Sequence, residues 1–213
     1  MNCTADVKAE CHITCTSSNA AQVVEAVAKE WKSDTVIMVP DQYLAKNVAA
    51  QTDIRILTWP GACEVHELFS ADDVSQLREA HPGVVILAHP ECPPDVLEAA
   101  DFAGSTSALA NYVSENNPNK VVLLTECSMS DNVAAVNPNV NFIRPCNLCP
   151  HMKRITLENI YDCLVTGKYE VKIPEDVRVR AKQALDAMMA LPKMERPLAF
   201  KTGLKPLAVE MVI

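Results

Sequence analysis

Short apolar runs alternate with longer helix-like segments along most of this chain. Three of the runs, VIMV at 36–39, VVILA at 84–88 and VVLL at 121–124, have the length and aliphatic content of buried strands. Alternation of such strands with helices predicts a parallel sheet with helices on both faces. Ligands of these sheets gather at the carboxyl ends of the strands, so functional residues are expected just after the apolar runs.

The chain resembles itself at an offset of 85 or 86 residues. Residues 36–66 and 121–152 each begin with an apolar run, continue with a helix-like segment containing NVAA, and reach a second apolar run. Each copy then has a proline-containing turn and a cysteine, Cys63 in the first and Cys149 in the second. The shared order predicts a duplication, and hence an α/β fold of pseudo-symmetric repeats of a parallel-sheet, three-layer αβα domain. Under that symmetry the two cysteines would face one central point.

The two copies differ at their start. The second copy opens with the strand-like run GVVILAHPE at 83–91, and the equivalent of this run in the first copy would lie before Met1. The chain is therefore expected to begin inside a repeat, either because Met1 is a truncation point or because the sequence is a fragment of a longer protein.

The composition is that of a globular protein with an aliphatic core, since 49% of the 213 residues are hydrophobic and only 5% are aromatic. A net charge of −8 argues against a nucleic-acid surface, which needs an excess of Lys and Arg. No apolar stretch approaches the roughly 20 residues of a membrane span, and the first residues lack the pattern of a signal peptide. We therefore expect a cytoplasmic protein that binds neither nucleic acid nor membrane.

Nine cysteines at irregular spacing, without an export signal, do not suggest a disulfide framework. Some are expected in the core, whereas Cys63 and Cys149 suit a metal. Zinc would need a second pair beside the C-x-x-C of Cys146 and Cys149, and a redox role for that pair is disfavoured because it does not open a βαβ unit. An iron–sulfur cluster with its third ligand in a missing segment fits better, because clusters take thiolates from separate loops.

Two acid–base candidates follow the strand-like run at 84–88. His89 and Glu91, in the sequence HPEC, come directly after it, and the adjacent prolines stiffen the loop. His89 can exchange a proton near neutral pH, with Glu91 as its carboxylate partner. The alternative is that His89 only caps the strand.

Hydroxyl-rich segments precede two predicted helices. TSS at 16–18 and STS at 105–107 are ordinary N-cap sequences, but a helix N-terminus also binds carboxylate or phosphate. One such segment in each repeat favours an anion site. His66 and His151 lie near the two cysteines without being repeat equivalents, so neither is predicted as a shared ligand.

Taken in order, six motifs resemble the quinolinate synthase family: NCTADVKAECHITCTSSNA, VPD, WPGACEVH, HPEC, GSTS and CPHMKRITLENI. The resemblance runs from the first residues to about residue 190. It implies three pseudo-symmetric α/β domains around a [4Fe-4S] cluster, with one cysteine from each domain. It assigns residues 1–81 to an incomplete second domain, 82–160 to the third domain and 161–213 to a C-terminal helical extension, with most of the first domain absent.

The resemblance also implies roles for individual residues. Cys63 and Cys149 match cluster ligands, with the third cysteine expected in the missing domain, and His89 and Glu91 match the active-site H-P-E. Substrate contacts are implied for four further residues: Asn2, Ser17, Ser105 and Thr106. The segments PDQYLA and TECSM depart from the family pattern, which affects surface loops more than the centre of the site.

The implied reaction is a condensing and dehydrating transfer that joins iminoaspartate to dihydroxyacetone phosphate and gives quinolinate, a step of de novo NAD biosynthesis. The cluster would act as a Lewis acid, and an oxidase or dehydrogenase that supplies iminoaspartate is the implied partner protein. Two alternatives stay open: a non-catalytic metal- or anion-binding α/β module, and a zinc-structured protein. Because the chain would supply only two of the three cluster thiolates, we expect it to be inactive by itself.

Overall fold

The computed structural model describes residues 3–192, 199–200 and 210–211. Within them the chain forms two compact units. The small unit comprises residues 3–14 and 148–192, and the large unit comprises residues 15–147 with the two short C-terminal pieces. These units are defined by packing, whereas the predicted domains are defined by the repeat. The predicted boundaries after residues 81 and 160 therefore stay predictions.

Helices and strands alternate along the large unit, and the small unit is helical. The small unit contains α1 (Ala5–Ala9), α8 (Leu157–Thr166) and α9 (Glu175–Ala190). The helices of the large unit are α2 (Ala20–Trp31), α3 (Gln42–Ala49), α4 (Ala71–Ala80), α5 (Pro94–Ala99), α6 (Thr106–Asn116) and α7 (Cys127–Val136). Its strands are β1 (Thr35–Met38), β2 (Arg55–Thr58), β3 (Val85–Ala88), β4 (Phe102–Gly104), β5 (Lys120–Leu124), β6 (Asn141–Ile143), β7 (Ala199–Phe200) and β8 (Glu210–Met211).

The strands form two sheets. The first sheet has the order β1-β2-β8 and is parallel throughout. The second has the order β6-β5-β3-β4-β7 and is parallel except for the pairing of β7 with β4. Parallel sheets flanked by helices confirm the predicted α/β fold class. No helix in the described part of the chain is long and apolar enough to cross a bilayer.

Capping side chains determine where several helices begin. Asp41 Oδ1 accepts a 2.6 Å hydrogen bond from a backbone N–H in the first turn of α3. Ser70 and Asp73 form a reciprocal capping box at the start of α4, and Ser105 accepts a bond from the backbone at the start of α6. Each such cap contributes about 1 kcal/mol, because it satisfies an N–H that has no partner within the helix.

The main core of the large unit lies against one face of the second sheet. Its buried side chains come from three strands, two helices and the turn before β6: Leu87, Leu109, Val113, Val121, Leu123, Val133, Val140 and Phe142. On the opposite face of the same strands, Ile86 and Val122 are also fully buried. Burial on both faces explains why these strands read as continuous apolar runs rather than alternating ones.

The two copies of the predicted repeat have the same backbone connections. β1–α3–β2 and β5–α7–β6 are both parallel strand–helix–strand units. An isolated parallel bridge lies beyond the strands of each unit, joining Asp41 to Gly61 in the first and Glu126 to Asn147 in the second. The bridge residues are related by the same offsets of 85 and 86 positions as the sequence repeat. The duplication is therefore supported by hydrogen-bonded pairing as well as by sequence.

Cys127 and Cys146 form a disulfide that links the start of α7 to the turn after β6. This pair was not predictable from the sequence, because the two cysteines lie 19 positions apart without a recognisable pattern. The parallel pairing of β5 with β6 brings their Cα atoms to 4.9 Å, since both cysteines follow the carboxyl ends of adjacent strands.

The small unit is built on the packing of α1 against α9. Arg180 of α9 donates to the Ala9 carbonyl and pairs with Glu10, while Ala181 and Ala184 lie buried. α8, in contrast, has no buried residue.

Candidate active site

Cys63 follows a sharp turn at the carboxyl end of β2. The turn, Trp59-Pro60-Gly61, approaches the start of α3 so closely that a Cβ on Gly61 would lie 2.5 Å from the Pro40 carbonyl oxygen. Glycine at 61 is therefore required, and the Gly61 oxygen accepts a 2.7 Å bond from the Gln42 N–H. This close approach holds the half-buried Cys63 beside the residues that begin α3.

Asp41 joins the start of α3 to Cys63. Its Oδ1 accepts the bond that starts α3, and its Oδ2 accepts a 3.0 Å hydrogen bond from the Cys63 N–H. The side chain is buried, and burial raises the pKa of Asp41 to about 6. The two backbone N–H groups oppose the rise, whereas the nearby charge of Glu91 adds to it.

His66 begins a short 3₁₀ helix, His66–Leu68, and is only 7% exposed. Its Nε2 lies 3.0 Å from Thr125 Oγ1, and its Nδ1 lies 3.2 Å from Glu91 Oε2. The second contact is at ion-pair distance but is not aligned as a hydrogen bond. Burial opposes a charged imidazole, but interactions with Cys63 and Glu91 outweigh it and raise the pKa of His66 to about 9.

His89 and Glu91 come from the carboxyl end of β3, as predicted. The His89 N–H donates to the Leu124 carbonyl at 3.1 Å, which continues the pairing of β3 with β5. The His89 ring stacks on His66 with centroids 4.4 Å apart, and its Nδ1 is 4.0 Å from Glu91 Oε2. Burial, together with the charge of His66, lowers the pKa of His89 to about 3, so this ring is neutral. The nearer imidazole partner of Glu91 is thus His66 rather than His89.

Glu91 is held as a carboxylate. Burial would raise its pKa, but the contact with His66 and the neighbouring His89 outweigh burial and lower the pKa of Glu91 below its usual range. The ion pair joins the buried His66 to Glu91, whose side chain is 18% exposed, so the pair is partly shielded from water and the two charges interact more strongly than at the surface.

Asn47 holds the loop that carries Glu91. Its Nδ2 donates to the carbonyl oxygens of Pro90 and Cys92, at 2.9 Å each, and the side chain is only 4% exposed. These bonds tie α3 of the first repeat to the loop after β3. The repeat equivalent of Asn47 is Asn132, which is exposed.

Cys63, His66 and Glu91 together could hold a metal ion. One ligand atom from each lies within 4.8 Å of the others. The buried Nδ1 of His66 has no hydrogen-bond partner, and it becomes a ligand if a metal ion displaces the imidazolium proton. Burial would raise the pKa of the Cys63 thiol, but the interaction with the protonated His66 outweighs it and lowers that pKa, which favours the thiolate. Thiolate and imidazole ligands suit zinc or iron, including iron held in a sulfur cluster.

The hydroxyl-rich segments lie where the sequence predicted, before helices. Ser105 is buried and caps α6, and Thr106 is exposed at the first position of that helix. Ser17 is half-buried in the turn before α2. The N-cap interpretation of Ser105 is confirmed, and substrate contacts of Ser17, Ser105 and Thr106 stay predictions.

Two predicted site residues belong to other parts of the chain. Cys149 is half-buried in the small unit and lies outside the disulfide, in the turn before the 3₁₀ helix Met152–Arg154. Because Cys63 lies in the large unit, the predicted convergence of the two sulfurs stays a prediction. Asn2 lies outside the described residues.

Sequence reasoning missed His66, Thr125, Asp41 and Asn47. Thr125 is the first polar residue after a buried strand, so the same rule that found His89 could have found it. The repeat does not indicate His66, because its counterpart is Met152 and a residue with a role in one copy only has no equivalent in the other.

The fold and these side chains define a class: a parallel-sheet α/β protein with a site of cysteine, histidine and glutamate side chains at the carboxyl ends of its strands. The family model described as Quinolinate synthetase A protein matches residues 1–190. The chain therefore belongs to the quinolinate synthetase A family, and the resemblance read from its motifs is confirmed.

Curated relatives agree with the family match. The quinolinate synthase of Caulobacter vibrioides is 56% identical over 200 residues, which are 94% of this chain but 54% of the relative. That of Xylella fastidiosa is 56% identical over 191 residues, 90% of this chain and 55% of the relative. That of Agrobacterium fabrum is 55% identical over 191 residues, 90% of this chain and 54% of the relative. The chain spans about half the length of the curated relatives it matches.

Proposed function

We propose that this chain is a catalytic part of a quinolinate synthase of NAD biosynthesis. The complete enzyme condenses iminoaspartate with dihydroxyacetone phosphate in the cytoplasm, and an oxidase or dehydrogenase supplies the imine. The observation that carries the proposal is the group formed by the half-buried Cys63 and Glu91 with the buried His66, in a chain of this family. The names of the relatives support an enzyme that makes quinolinate.

Cys63 and Cys149 are the proposed ligands of a [4Fe-4S] cluster, with a third thiolate from polypeptide outside this chain. A cluster held by three thiolates supplies, when bound, an open iron that acts as a Lewis acid toward substrate oxygen. The chemistry of Cys63 fits this role, since His66 lowers the pKa of the Cys63 thiol and so favours the thiolate that iron requires.

His66 is the proposed centre of proton transfer. Its Nε2 faces the Thr125 hydroxyl at 3.0 Å, within the range for direct transfer of a proton between the two groups. Glu91 at 3.2 Å from Nδ1 stabilises the imidazolium while His66 holds the proton. A condensation that loses phosphate and water needs a proton removed from carbon and protons delivered to leaving oxygens. His66, which is protonated at neutral pH because its pKa is raised to about 9, meets that need by giving its proton to a leaving oxygen and then accepting one from carbon.

His89 has a different proposed role from the one suggested by its sequence. As a neutral ring stacked on His66, it supports the orientation of the His66 imidazole and can offer one hydrogen bond to substrate. The hydroxyls of Ser17, Ser105 and Thr106, together with Asn2, are proposed to hold the carboxylate and phosphate groups.

An anaerobic assay of quinolinate formation tests the proposal. The chain is co-expressed with the part of the Caulobacter vibrioides enzyme outside the 200-residue match and reconstituted with iron and sulfide. His66→Gln should lower the turnover of iminoaspartate and dihydroxyacetone phosphate by about 100-fold, the usual size of a general acid–base contribution. His81→Gln is the matched control, because His81 lies outside the site at the end of α4. No quinolinate at full iron content, or full turnover by His66→Gln, would contradict the proposal.

Zinc binding at Cys63, His66 and Glu91 is a second candidate, because these three residues are also common zinc ligands. Zinc held by Cys146 and Cys149 is not supported, since the Cys146 sulfur is bonded to Cys127. Metal analysis separates the two candidates. A brown protein containing iron and sulfide supports the cluster, and a colourless protein with one zinc supports the second candidate.

A further inference from the structure

Asn47 is a polar residue on the buried side of α3. Leu44 and Val48, which flank it on that side of the helix, are apolar and 0% exposed. Asparagine is a weaker helix former than alanine, and a buried amide needs hydrogen-bond partners. Helix formation therefore does not explain this side chain, and the groups that its amide contacts have to explain it.

The Asn47 amide holds the loop that carries Glu91. Its Nδ2 has two N–H groups, and they match the two carbonyl oxygens that it reaches, those of Pro90 and Cys92. In the peptide group that contains the Pro90 carbonyl, the Glu91 N–H donates to His89 Nδ1 at 3.3 Å. In the next peptide group, the Cys92 N–H donates to the His89 carbonyl at 2.9 Å. The backbone is thus bonded on both sides of Glu91, which fixes the direction of the Glu91 side chain.

The same helix is bonded to the turn that carries Cys63. Asp41, at the start of α3, accepts from the Cys63 N–H at 3.0 Å. Asn47 follows Asp41 by six positions, which is roughly 9 Å along the helix axis. His66 lies three positions after Cys63, in the segment that this bond holds. α3 is therefore a rigid connection between the segment with Cys63 and His66 and the loop with Glu91.

The contact that depends on this connection is the ion pair between His66 and Glu91, 3.2 Å apart. We propose that Asn47 is a positioning residue of the candidate active site, because its two bonds to the loop hold the Glu91 carboxylate beside His66. The proposal rests on the proposed function, in which Glu91 stabilises the protonated His66. Asn132, the repeat equivalent on α7, is exposed and provides an internal reference.

A double-mutant cycle on quinolinate formation tests the proposal in the chain co-expressed with the rest of the Caulobacter vibrioides enzyme. Asn47→Ala should lower kcat by about tenfold or more, because a small displacement of a catalytic group is costly. Glu91→Gln should lower kcat by about 100-fold. The double variant should also lose about 100-fold rather than about 1000-fold, because Asn47 acts through Glu91. Multiplication of the two losses, or full turnover by Asn47→Ala, would overturn the proposal.

Two controls separate positioning from loss of stability. Val133→Ala removes methyl groups from the buried core on α7, so it should lower the melting temperature and leave kcat unchanged below the unfolding transition. Asn132→Ala should change neither quantity. In Asn47→Ala the iron content should stay the same and the KM of each substrate should change by less than about twofold, since the loss concerns the reaction and not binding. A fall in kcat of Val133→Ala equal to that of Asn47→Ala would show that destabilisation alone explains the effect.

A second measurement does not depend on the reaction. The histidine rings are labelled with ¹⁵N in the assembled protein before iron and sulfide are added, and the His66 signals are assigned by their loss in His66→Gln. They should shift in Asn47→Ala in the same direction as in Glu91→Gln, and stay in place in Val133→Ala and Asn132→Ala. If the unsubstituted enzyme forms no quinolinate, the proposed function fails while these signals still decide whether Asn47 positions Glu91. His66 signals that are the same in Asn47→Ala as in the unsubstituted protein would overturn the proposal.

Discussion

The two strand–helix–strand units of the large unit have the same backbone connections but carry different side chains beside their bridges. In β1–α3–β2, the bridge between Asp41 and Gly61 places the Cys63 N–H on the Asp41 carboxylate, with His66 three residues further along. In β5–α7–β6, the bridge between Glu126 and Asn147 lies next to a disulfide instead. The first unit thus directs reactive side chains into the candidate active site, while the second has a covalent link beside its bridge, at the positions equivalent to Gln42 and Pro60.

The difference shows that the backbone bridge does not determine which side chains the two bridged turns carry. Backbone pairing beyond the carboxyl ends of parallel strands holds two turns together whatever side chains they carry, because it uses only N–H and C=O groups. Side chains on those turns are then free to change between copies. Thr125, which contacts His66, has Pro40 as its repeat equivalent, so even a residue at the centre of the site has no symmetric counterpart.

The largest expected effect concerns the cysteines of the two copies. In the chain assembled with the rest of the family's length, Cys63→Ala and Cys149→Ala should abolish the binding of iron and sulfide, because each removes a thiolate ligand. Cys92→Ala, Cys127→Ala and Cys163→Ala should retain it, since these thiols are buried in the core, paired in the disulfide or exposed on α8. Iron and sulfide analysis of the purified variants measures the effect. Loss of iron and sulfide in Cys127→Ala would show that the disulfide of the second unit is needed for the metal site, which would contradict the different roles assigned to the two units.

The disulfide should contribute about 3 kcal/mol to the free energy of unfolding, the value expected for closing a loop of this size in the unfolded chain. Urea unfolding with and without a thiol reductant measures the difference. Cys146→Ala is the control, because its stability should not respond to the reductant. A stability of the unsubstituted chain that is equal under both conditions would show that the covalent link does not stabilise the second unit.

Replacing the asparagine of each NVAA segment, Asn47 or Asn132, should lower the free energy of unfolding by amounts that differ by about 2 kcal/mol. Asn47→Ala leaves the carbonyl oxygens of Pro90 and Cys92 without their buried donor, a loss of that size. Asn132→Ala should change the free energy of unfolding by less than about 0.5 kcal/mol, as is usual for an exposed position. Denaturant unfolding of both variants gives the comparison, and equal effects would show that the repeat positions are energetically alike.

The smallest expected effect concerns the carboxylate at the bridge of the first unit. Asp41→Asn should lower the free energy of unfolding by about 1 kcal/mol, because an amide offers one oxygen where two backbone N–H groups each bond to a separate carboxylate oxygen. Asp53→Asn, at an exposed position before β2, is the control and should change it by less than about 0.5 kcal/mol. Thermal unfolding of the two variants compares them. Equal effects would show that the Asp41 carboxylate does not anchor the first unit.

Much of the fold was predictable because the strands are short, apolar and repeated. The runs at 84–88 and 121–124 became β3 and β5, paired in parallel and buried on both faces. The first repeat was predicted with the same order of elements, and β1 and β2 confirm it. Side-chain pairing was harder to predict. Nothing in the sequence indicated that the carboxylate of Glu91 lies closer to His66 than to His89, two residues away.

The sequence by itself determined the class of fold, the family and the residues that end each strand, because apolar periodicity and motif spacing are local properties of the chain. The tertiary structure alone decided which of those strand ends meet. It brought Thr125, His66 and Glu91, from three separate turns, into one row with the buried His66 at its centre, and it joined Cys127 to Cys146. The physical reason is that parallel pairing aligns the carboxyl ends of strands that are distant in sequence, and the register of that pairing depends on packing throughout the core.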